Sequence, residues 1–266
     1  MSAQSLAVAQ SLGAAVFFAL GIQFLSLGLR HGDARTGTLI DIGTTALFYW
    51  LLSPFYLEWA YWDSMGLWIF VAVGLFRPAL TANLALEAVR RLGPTLASTL
   101  TSTTPLFAAI FGVLLLSEAL TLPIIVGTVA VIMGTAVGTA TPTTNGQAGR
   151  SWPPWALVFP LGAASLRSVA HVLIRMGLAF APEPLFAGLI AYSVSFLVAL
   201  TAQNWRANKQ AVNWRNPGLL WFVLAGISHG FAVWTMNAAL ATSPVSVVVP
   251  LVSTTPLFTL LLGLIF

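Results

Sequence analysis

Two basic side chains interrupt long apolar stretches of the chain and are the first candidates for chemistry. Arg77 is followed by Pro78, and His229 is followed by Gly230. A charged side chain at the centre of a bilayer is unfavourable by about 2.5–3.5 kcal/mol, so such residues usually face a cavity or a partner. The proline and the glycine would loosen the helix beside each group. We expect Arg77 and His229 to bind an anionic or zwitterionic solute. In the alternative, Arg77 pairs with Asp41 or extends towards water, and His229 bonds a neighbouring carbonyl group.

A second group of basic residues has a helical spacing. Arg167, His171 and Arg175 follow one another at intervals of four residues. That spacing places them on one face of a helix, as a stripe about 12 Å long. A stripe facing lipid would be unfavourable, so we expect it to point inwards. Arg175 is near the predicted end of its helix, where a long side chain can reach the interface. Arg167 and His171 are therefore the stronger site candidates.

Uncharged side chains complete the predicted site. Gln23, Asn83 and Asn237 would supply hydrogen-bonding groups at membrane depth, and Trp234 would line a cavity. The structural alternative is that the amides bond neighbouring helices and that the indole only packs.

Two further prolines are expected to break helices, as Pro78 and Gly230 are. Pro105 and Pro256 each follow a run of Ser and Thr residues. Proline lacks a backbone N–H and leaves a carbonyl group without its helical partner. Nearby hydroxyl groups could satisfy that carbonyl, or they could wet a solute path, and the residues alone leave both roles open.

The composition indicates the scaffold that must hold these groups. The 11 Lys and Arg and 7 Asp and Glu residues make up 7% of 266 residues, 58% are apolar, and the mean hydropathy is +0.90. A soluble domain carries about 25% charged residues, so soluble enzymes and secreted modules are excluded. The net charge of +4 is spread along the chain without a basic cluster, which excludes a nucleic-acid face. Because there is no cysteine, thiolate metal sites are excluded, and we expect neither a metal nor a cofactor.

The apolar stretches are long enough for membrane helices, which need about 20 residues each. They predict an all-α polytopic membrane protein with nine spans. These are 8–29, 38–57, 65–89, 94–116, 121–140, 154–178, 184–203, 217–241 and 244–266.

The basic residues of the short loops predict the orientation. Eight lie on one side of the membrane, whereas the other side carries Glu58, Asp63, Glu118, Glu183 and at most Arg175. The eight are Arg30, Arg35, Arg90, Arg91, Arg150, Arg206, Lys209 and Arg215. Basic loops face the cytoplasm, so we expect the N-terminus outside, in a plasma (inner) membrane.

The two halves of the chain repeat each other at an offset of about 150 residues. Ser102–Phe107 and Ser253–Phe258 both read STTPLF, and three other matches keep the same order. They pair LGAA at 12–15 with 161–164, Phe70 with Phe222, and Pro94 with Pro244. A unit of five spans enters the membrane from opposite sides in its two copies, as in transporters built from inverted repeats with a midplane site.

These residues resemble the EamA-like family of the drug/metabolite transporter superfamily. The resemblance is carried by the segment Pro94–Pro105, by Ser117-Glu118-Ala119-Leu120-Thr121, and by the glycines of the fifth helix, Gly127, Gly134 and Gly138. It implies ten helices in five-helix inverted repeats. We divide the chain into a first repeat at 1–140, a linker at 141–153 and a second repeat at 154–266. The second Ser-Glu turn would fall at residue 269, so we expect a truncated chain that lacks helix 10, the alternative being a nine-helix protein.

The resemblance and the basic interior together predict a secondary transporter that moves an anionic or zwitterionic metabolite by alternating access. The expected partners are a small-molecule solute and the lipid bilayer, with a homodimer left open and no nucleic acid. Two alternatives are a non-transporting or incomplete membrane protein of the same fold and an intramembrane enzyme using His171 and His229. The enzyme is disfavoured because the chain has neither a cysteine nucleophile nor an HExxH motif.

Overall fold

The structure is a computed structural model that describes residues 3–139, 153–204 and 218–265. Residues 141–152 of the predicted linker, Phe266 and the four basic loop residues Arg150, Arg206, Lys209 and Arg215 lie outside the described residues. Every regular element in the described ranges is helical, which confirms the all-α prediction.

Twelve α-helices and two short 3-10 helices make up the described fold. The first half contains α1 (Ala3–Leu29), α2 (Ala34–Tyr56), the 3-10 helix Trp59–Asp63, α3 (Met65–Phe76), α4 (Ala79–Leu92), α5 (Pro94–Thr101), α6 (Thr104–Leu116) and α7 (Leu122–Thr139). The second half contains the 3-10 helix Pro154–Leu157, α8 (Val158–Leu178), α9 (Pro184–Asn204), α10 (Gly218–Thr242), α11 (Val245–Val252) and α12 (Thr255–Gly263).

Six segments of the described chain are long and apolar enough to cross a membrane. They are Gln4–Leu29, Leu96–Leu116, Pro154–Leu178, Pro184–Ala202, Gly218–Thr242 and Val245–Gly263. Met65–Phe76 and Leu122–Gly134 are apolar but shorter. The nine-span count therefore stays a prediction.

The predicted span 65–89 is divided into α3 and α4, which confirms the break predicted at Pro78. The first helix ends at Phe76, Arg77 is extended (φ −122°, ψ 131°), and the Arg77–Pro78 peptide bond is cis. Proline has no N–H to donate to the preceding turn and its ring disfavours a helical residue before it. The chain therefore breaks where Arg77 lies.

The break expected at Gly230 is absent, since α10 runs without interruption through that residue. Glycine keeps its N–H and disfavours a helix by only about 1 kcal/mol, so the helical hydrogen bonds persist. The missing side chain makes room for a neighbour instead. A Cβ atom at Gly230 would lie 2.7 Å from Cδ1 of Phe48.

The chain turns just before Pro105 and Pro256, between α5 and α6 and between α11 and α12. Equivalent hydroxyl groups bond equivalent carbonyl groups at the two turns. The bonds are Ser102 to Ser98 (2.9 Å), Thr103 to Leu100 (2.6 Å) and Thr104 to Thr101 (2.7 Å), and then Ser253 to Val249 (2.8 Å), Thr254 to Leu251 (2.6 Å) and Thr255 to Val252 (2.6 Å). These six hydroxyls therefore have a structural role.

Large rings from one half pack on glycines of the other half. Phe70 of α3 lies against Gly177 of α8, and Phe222 of α10 lies against Gly28 of α1. A Cβ atom at either glycine would lie 2.4 Å from the ring. Helix α8 packs on α3, α4, α5 and α6, and helix α1 packs on α10, α11 and α12. The two halves thus bury their apolar faces against each other.

Candidate functional site

A small cavity lies where α3 ends. Its lining comes from four helices and consists of Val73, Arg77, Ile174, Ala187, Gly188, Ala191, Tyr192, Val233 and Asn237. The cavity volume is about 10 Å³, which is roughly the space that one water molecule needs. Of the residues predicted for the site, the structure brings Arg77 and Asn237 together here.

The basic residues of α8 lie close to the same place. Arg77 and Arg167 are near enough for their charges to repel, and both act electrostatically on His171. The arginines are partly buried, and His171 is 4% exposed with an Nδ1 atom that has no hydrogen-bond partner. Among the described residues, no carboxylate lies within salt-bridge distance of either arginine. Arg77 and Arg167 therefore form a partly buried positive pair beside His171, and the described residues supply no counter-ion for it.

Polar groups from α9 and α10 frame the cavity. Asn237 is fully buried, and its Nδ2 donates to the Pro184 carbonyl (3.2 Å), while its Oδ1 has no partner. The hydroxyl groups of Tyr49 and Tyr192 lie within electrostatic reach of Arg77. Sequence reasoning missed both tyrosines. Each of them places a phenolic hydroxyl group in an apolar helix, and a buried hydroxyl group usually needs a hydrogen-bond partner. That pattern could have identified both tyrosines.

The α8–α9 loop ends with an acid that caps α9. The Glu183 carboxylate accepts a hydrogen bond from the Leu185 backbone N–H (3.0 Å). Partial burial raises the pKa of Glu183, while that hydrogen bond acts in the opposite direction. The cap fixes the start of α9, where the Pro184 carbonyl accepts the hydrogen bond from the Asn237 amide.

His229 lies in a different environment from Arg77, so the structure does not bring these two predicted solute-binding residues into one cavity. The Nδ1 atom of His229 is 2.8 Å from Oδ1 of Asp41. The imidazole packs on Phe18 and fits against α1 because residue 21 is glycine. The two positions differ because α3 ends at Arg77 whereas α10 continues past His229. The predicted alternatives are also corrected, since Asp41 pairs with His229 rather than with Arg77.

The other predicted residues lie outside the cavity lining. Gln23 donates from Nε2 to the Thr259 carbonyl (2.7 Å) and so joins α1 to α12. Asn83 is exposed on α4, and Trp234 packs edge-on against Tyr56 at 5.2 Å between ring centroids. Arg175 donates to the Leu240 carbonyl on α10. Within the described ranges, no group of three or more His, Asp or Glu side chains could hold a metal ion.

Residues 5–139, just over half of the chain, match the model of the EamA-like transporter family. The chain belongs to the EamA-like transporter family. Together with the six apolar helices, this membership makes it a multi-pass integral membrane protein of the transporter class.

A solved structure supports the fold across both halves. It is titled "Crystal structure of protein", superposes with a TM-score of 0.77, and is 16% identical in sequence. The match covers 98% of this EamA-like chain and 88% of the other chain. At that identity the likeness concerns the fold alone. No curated protein matches the chain.

Proposed function

We propose that this EamA-like protein is a secondary transporter that moves a small anionic or zwitterionic metabolite by alternating access. The observation that carries the proposal is the cluster of Arg77, Arg167 and His171, which no described acid neutralises. Guanidinium groups stay charged at physiological pH, and their planar donors match carboxylate and phosphate oxygens. A bound anion would supply the missing counter-charge. Asn237 Oδ1 would accept from an ammonium group of a zwitterion.

The size of the cavity supports a cycle with conformational change. A space of about 10 Å³ holds roughly one water molecule, whereas pockets for small-molecule ligands measure about 300–1,000 Å³. A metabolite therefore enters only if the lining helices separate. The break between α3 and α4 places Arg77 where two half-helices meet, as in discontinuous helices of other transporters.

We further propose that the two halves are inverted five-helix repeats on a 5+5 plan. The equivalent hydroxyl bonds at the two proline turns support this plan, as do the reciprocal contacts of Phe70 and Phe222. The close approach of Gly74 to the Ala191 carbonyl also has a counterpart, in that of Gly226 to the Asp41 carbonyl. A two-fold axis in the membrane plane would relate all three pairs.

The proposed location is the plasma (inner) membrane, with the N-terminus outside. The described basic loop residues Arg30, Arg90 and Arg91 would then face the cytoplasm. On the other side would lie Glu58, Asp63, Glu118 and Glu183.

Ligand binding to the purified protein tests the site. Protein in detergent is heated with L-malate, L-glutamate, glycerol 3-phosphate or inorganic phosphate, which represent a dicarboxylate, a zwitterionic amino acid and two phosphates. A ligand at a hundred times its Kd stabilises the folded state by about 2.7 kcal/mol. We expect at least one of the four to raise the melting temperature.

The variants Arg77→Gln and Arg167→Gln should weaken binding of that anion at least tenfold. The matched control is Arg30→Gln, which removes an exposed arginine between α1 and α2 and should bind as the wild type does. If none of the four anions binds, or if both site variants bind as the wild type does, the anion-transporter proposal is wrong.

A further inference from the structure

The pair of Asp41 and His229 is the one acid–base pair between two different helices, α2 and α10, in the described part of the chain. Their side chains are 16% and 14% exposed and 2.8 Å apart. All seven acids of the sequence are in the described ranges, and the other six lie in loops or near helix ends, whereas Asp41 lies inside α2. The pair is therefore placed deep in the protein without taking part in the cavity lining.

The packing around the pair holds the imidazole in one position. A Cβ atom at Gly21 would lie 2.4 Å from both Cδ2 and Nε2 of His229, so α1 approaches the ring directly. Phe18 contacts the ring from the same helix, with 5.9 Å between centroids. The ring is thus fixed by α1 on one side and by the Asp41 carboxylate on the other.

The chemistry of this pair differs from that of the arginine cluster. Arginine does not release its proton in proteins, so Arg77 and Arg167 can bind an anion but cannot carry a proton. Histidine changes its charge in the physiological pH range. One added proton converts a neutral imidazole beside a carboxylate into an imidazolium–carboxylate pair and raises the net charge of the pair from −1 to 0.

The titratable groups on the surrounding helices connect the pair to the cavity. Helices α1 and α11 carry none. Helix α2 carries Arg35, Asp41 itself, Tyr49 and Tyr56, and the Tyr49 hydroxyl donates to the Gly230 carbonyl (2.8 Å). Helix α9 contributes Tyr192, which lies within electrostatic reach of both Arg77 and Asp41. Helix α8 contributes the basic residues Arg167, His171 and Arg175.

We propose that Asp41 and His229 form a proton-binding site that couples the movement of one proton to that of the anion. The inference deepens the proposed anion transport and rests on it. An anion at the arginine cluster adds negative charge near the pair and favours the added proton, and the proton favours the anion by the same factor. The pair takes the proton from the side on which the anion enters and releases it on the other. Symport of one proton with a monoanion is then electroneutral.

Binding of the anion at several pH values tests the linkage. The Kd of whichever of the four anions binds the wild type is measured between about pH 6 and pH 8, where imidazole titrates. We expect the affinity to weaken by up to about tenfold per pH unit as pH rises, since one proton is taken up with the anion. In His229→Gln and Asp41→Asn the dependence should disappear. His31→Gln, which changes an exposed histidine, should keep it.

Transport in proteoliposomes tests the coupling itself. A pH gradient, acidic on the side of the anion, should drive wild-type accumulation of the anion, and a protonophore should abolish it. His229→Gln and Asp41→Asn should lose this accumulation but keep counterflow, the exchange of labelled for unlabelled anion at equal pH, which needs binding and alternating access without net proton movement.

The results of these experiments distinguish failure of the proton-binding site from failure of the proposed anion transport. Wild-type protein that binds and exchanges the anion but ignores the pH gradient overturns the proton site and leaves the transporter standing. Variants that elute as folded protein yet lose counterflow along with accumulation assign the pair a structural role and also overturn the proton site. Wild-type protein that neither binds nor exchanges any of the four anions overturns the proposed function.

Discussion

Arg91 and Arg77 illustrate how surroundings determine what the same side chain does. Arg91 donates to Glu87 at 2.6 Å, and its guanidinium lies over the Trp155 ring at 4.7 Å. These contacts leave the charge of Arg91 neutralised at the end of α4. Arg77 has no acid within salt-bridge distance in the described structure. The anion proposed above would neutralise this charge.

The fit of His229 against α1 gives a prediction at the scale of one residue. Gly21→Ala would place a methyl group 2.4 Å from the imidazole of His229, so the ring or α1 would have to shift. We expect this variant to destabilise the protein by about 1–3 kcal/mol and to lower its melting temperature in detergent.

The control for this change is on the same helix. A Cβ atom at Gly13 meets nothing within 4 Å. Alanine is the better helix former by roughly 0.5–1 kcal/mol, so Gly13→Ala should melt at the wild-type temperature or above it. Equal decreases in the melting temperature of both variants would show that alanine destabilises α1 at either position. The imidazole would then not be tightly held.

At the scale of elements, the turn after α6 reaches across to the other half of the chain. Ser117 takes a left-handed conformation (φ 53°) and directs Glu118 towards the start of α11. There Oε1 accepts from the Val245 N–H (2.7 Å) and Oε2 from the Ser246 N–H (3.0 Å). Gly112 makes room for the carboxylate. The first N–H groups of a helix have no acceptor within the helix, and the Glu118 carboxylate accepts two of them at the start of α11. Glu118 therefore connects the end of α6, in the first half, with the start of α11, in the second half.

Glu118→Gln should weaken this joint. Hydrogen bonds to a charged acceptor are about twice as strong as neutral ones, and the amide offers one oxygen in place of two. We expect a loss of about 1–2 kcal/mol and a melting temperature lower by a few degrees. Glu58→Gln, at an exposed acid before the first 3-10 helix, should leave the melting temperature unchanged. An unchanged melting temperature in Glu118→Gln as well would show that these two hydrogen bonds do not stabilise the protein.

At the scale of the whole molecule, orientation in the membrane follows from the uneven distribution of loop charge. The cysteine-free sequence makes this distribution directly testable. Single cysteines are introduced by His31→Cys, between α1 and α2, and by Asp63→Cys, before α3, and both sites are exposed. An impermeant maleimide should label the second variant in intact cells and the first only after permeabilisation, because basic loops stay in the cytoplasm. The reverse pattern would invert the proposed orientation.

The features that could be read from the sequence are those set by local chemistry. The low fraction of charged residues predicts a membrane protein. The interval of four residues places Arg167 and His171 on one face of a helix. The run of Ser and Thr before each proline turns the chain in both halves. Pro78 was a correct signal for a break and Gly230 was not, because proline removes an N–H whereas glycine only lacks a side chain.

The partners of the buried polar groups were decided only by the tertiary structure. Asp41 meets His229 across 188 positions of the chain, and Glu118 meets Val245 across 127. Such pairs depend on how far each helix is rotated and shifted against its neighbours, and no spacing within one helix records that. The sequence by itself therefore placed basic residues inside a membrane bundle. Packing divided them into arginines near the cavity, which have no acid within salt-bridge distance among the described residues, and a histidine whose Nδ1 atom lies 2.8 Å from Oδ1 of Asp41.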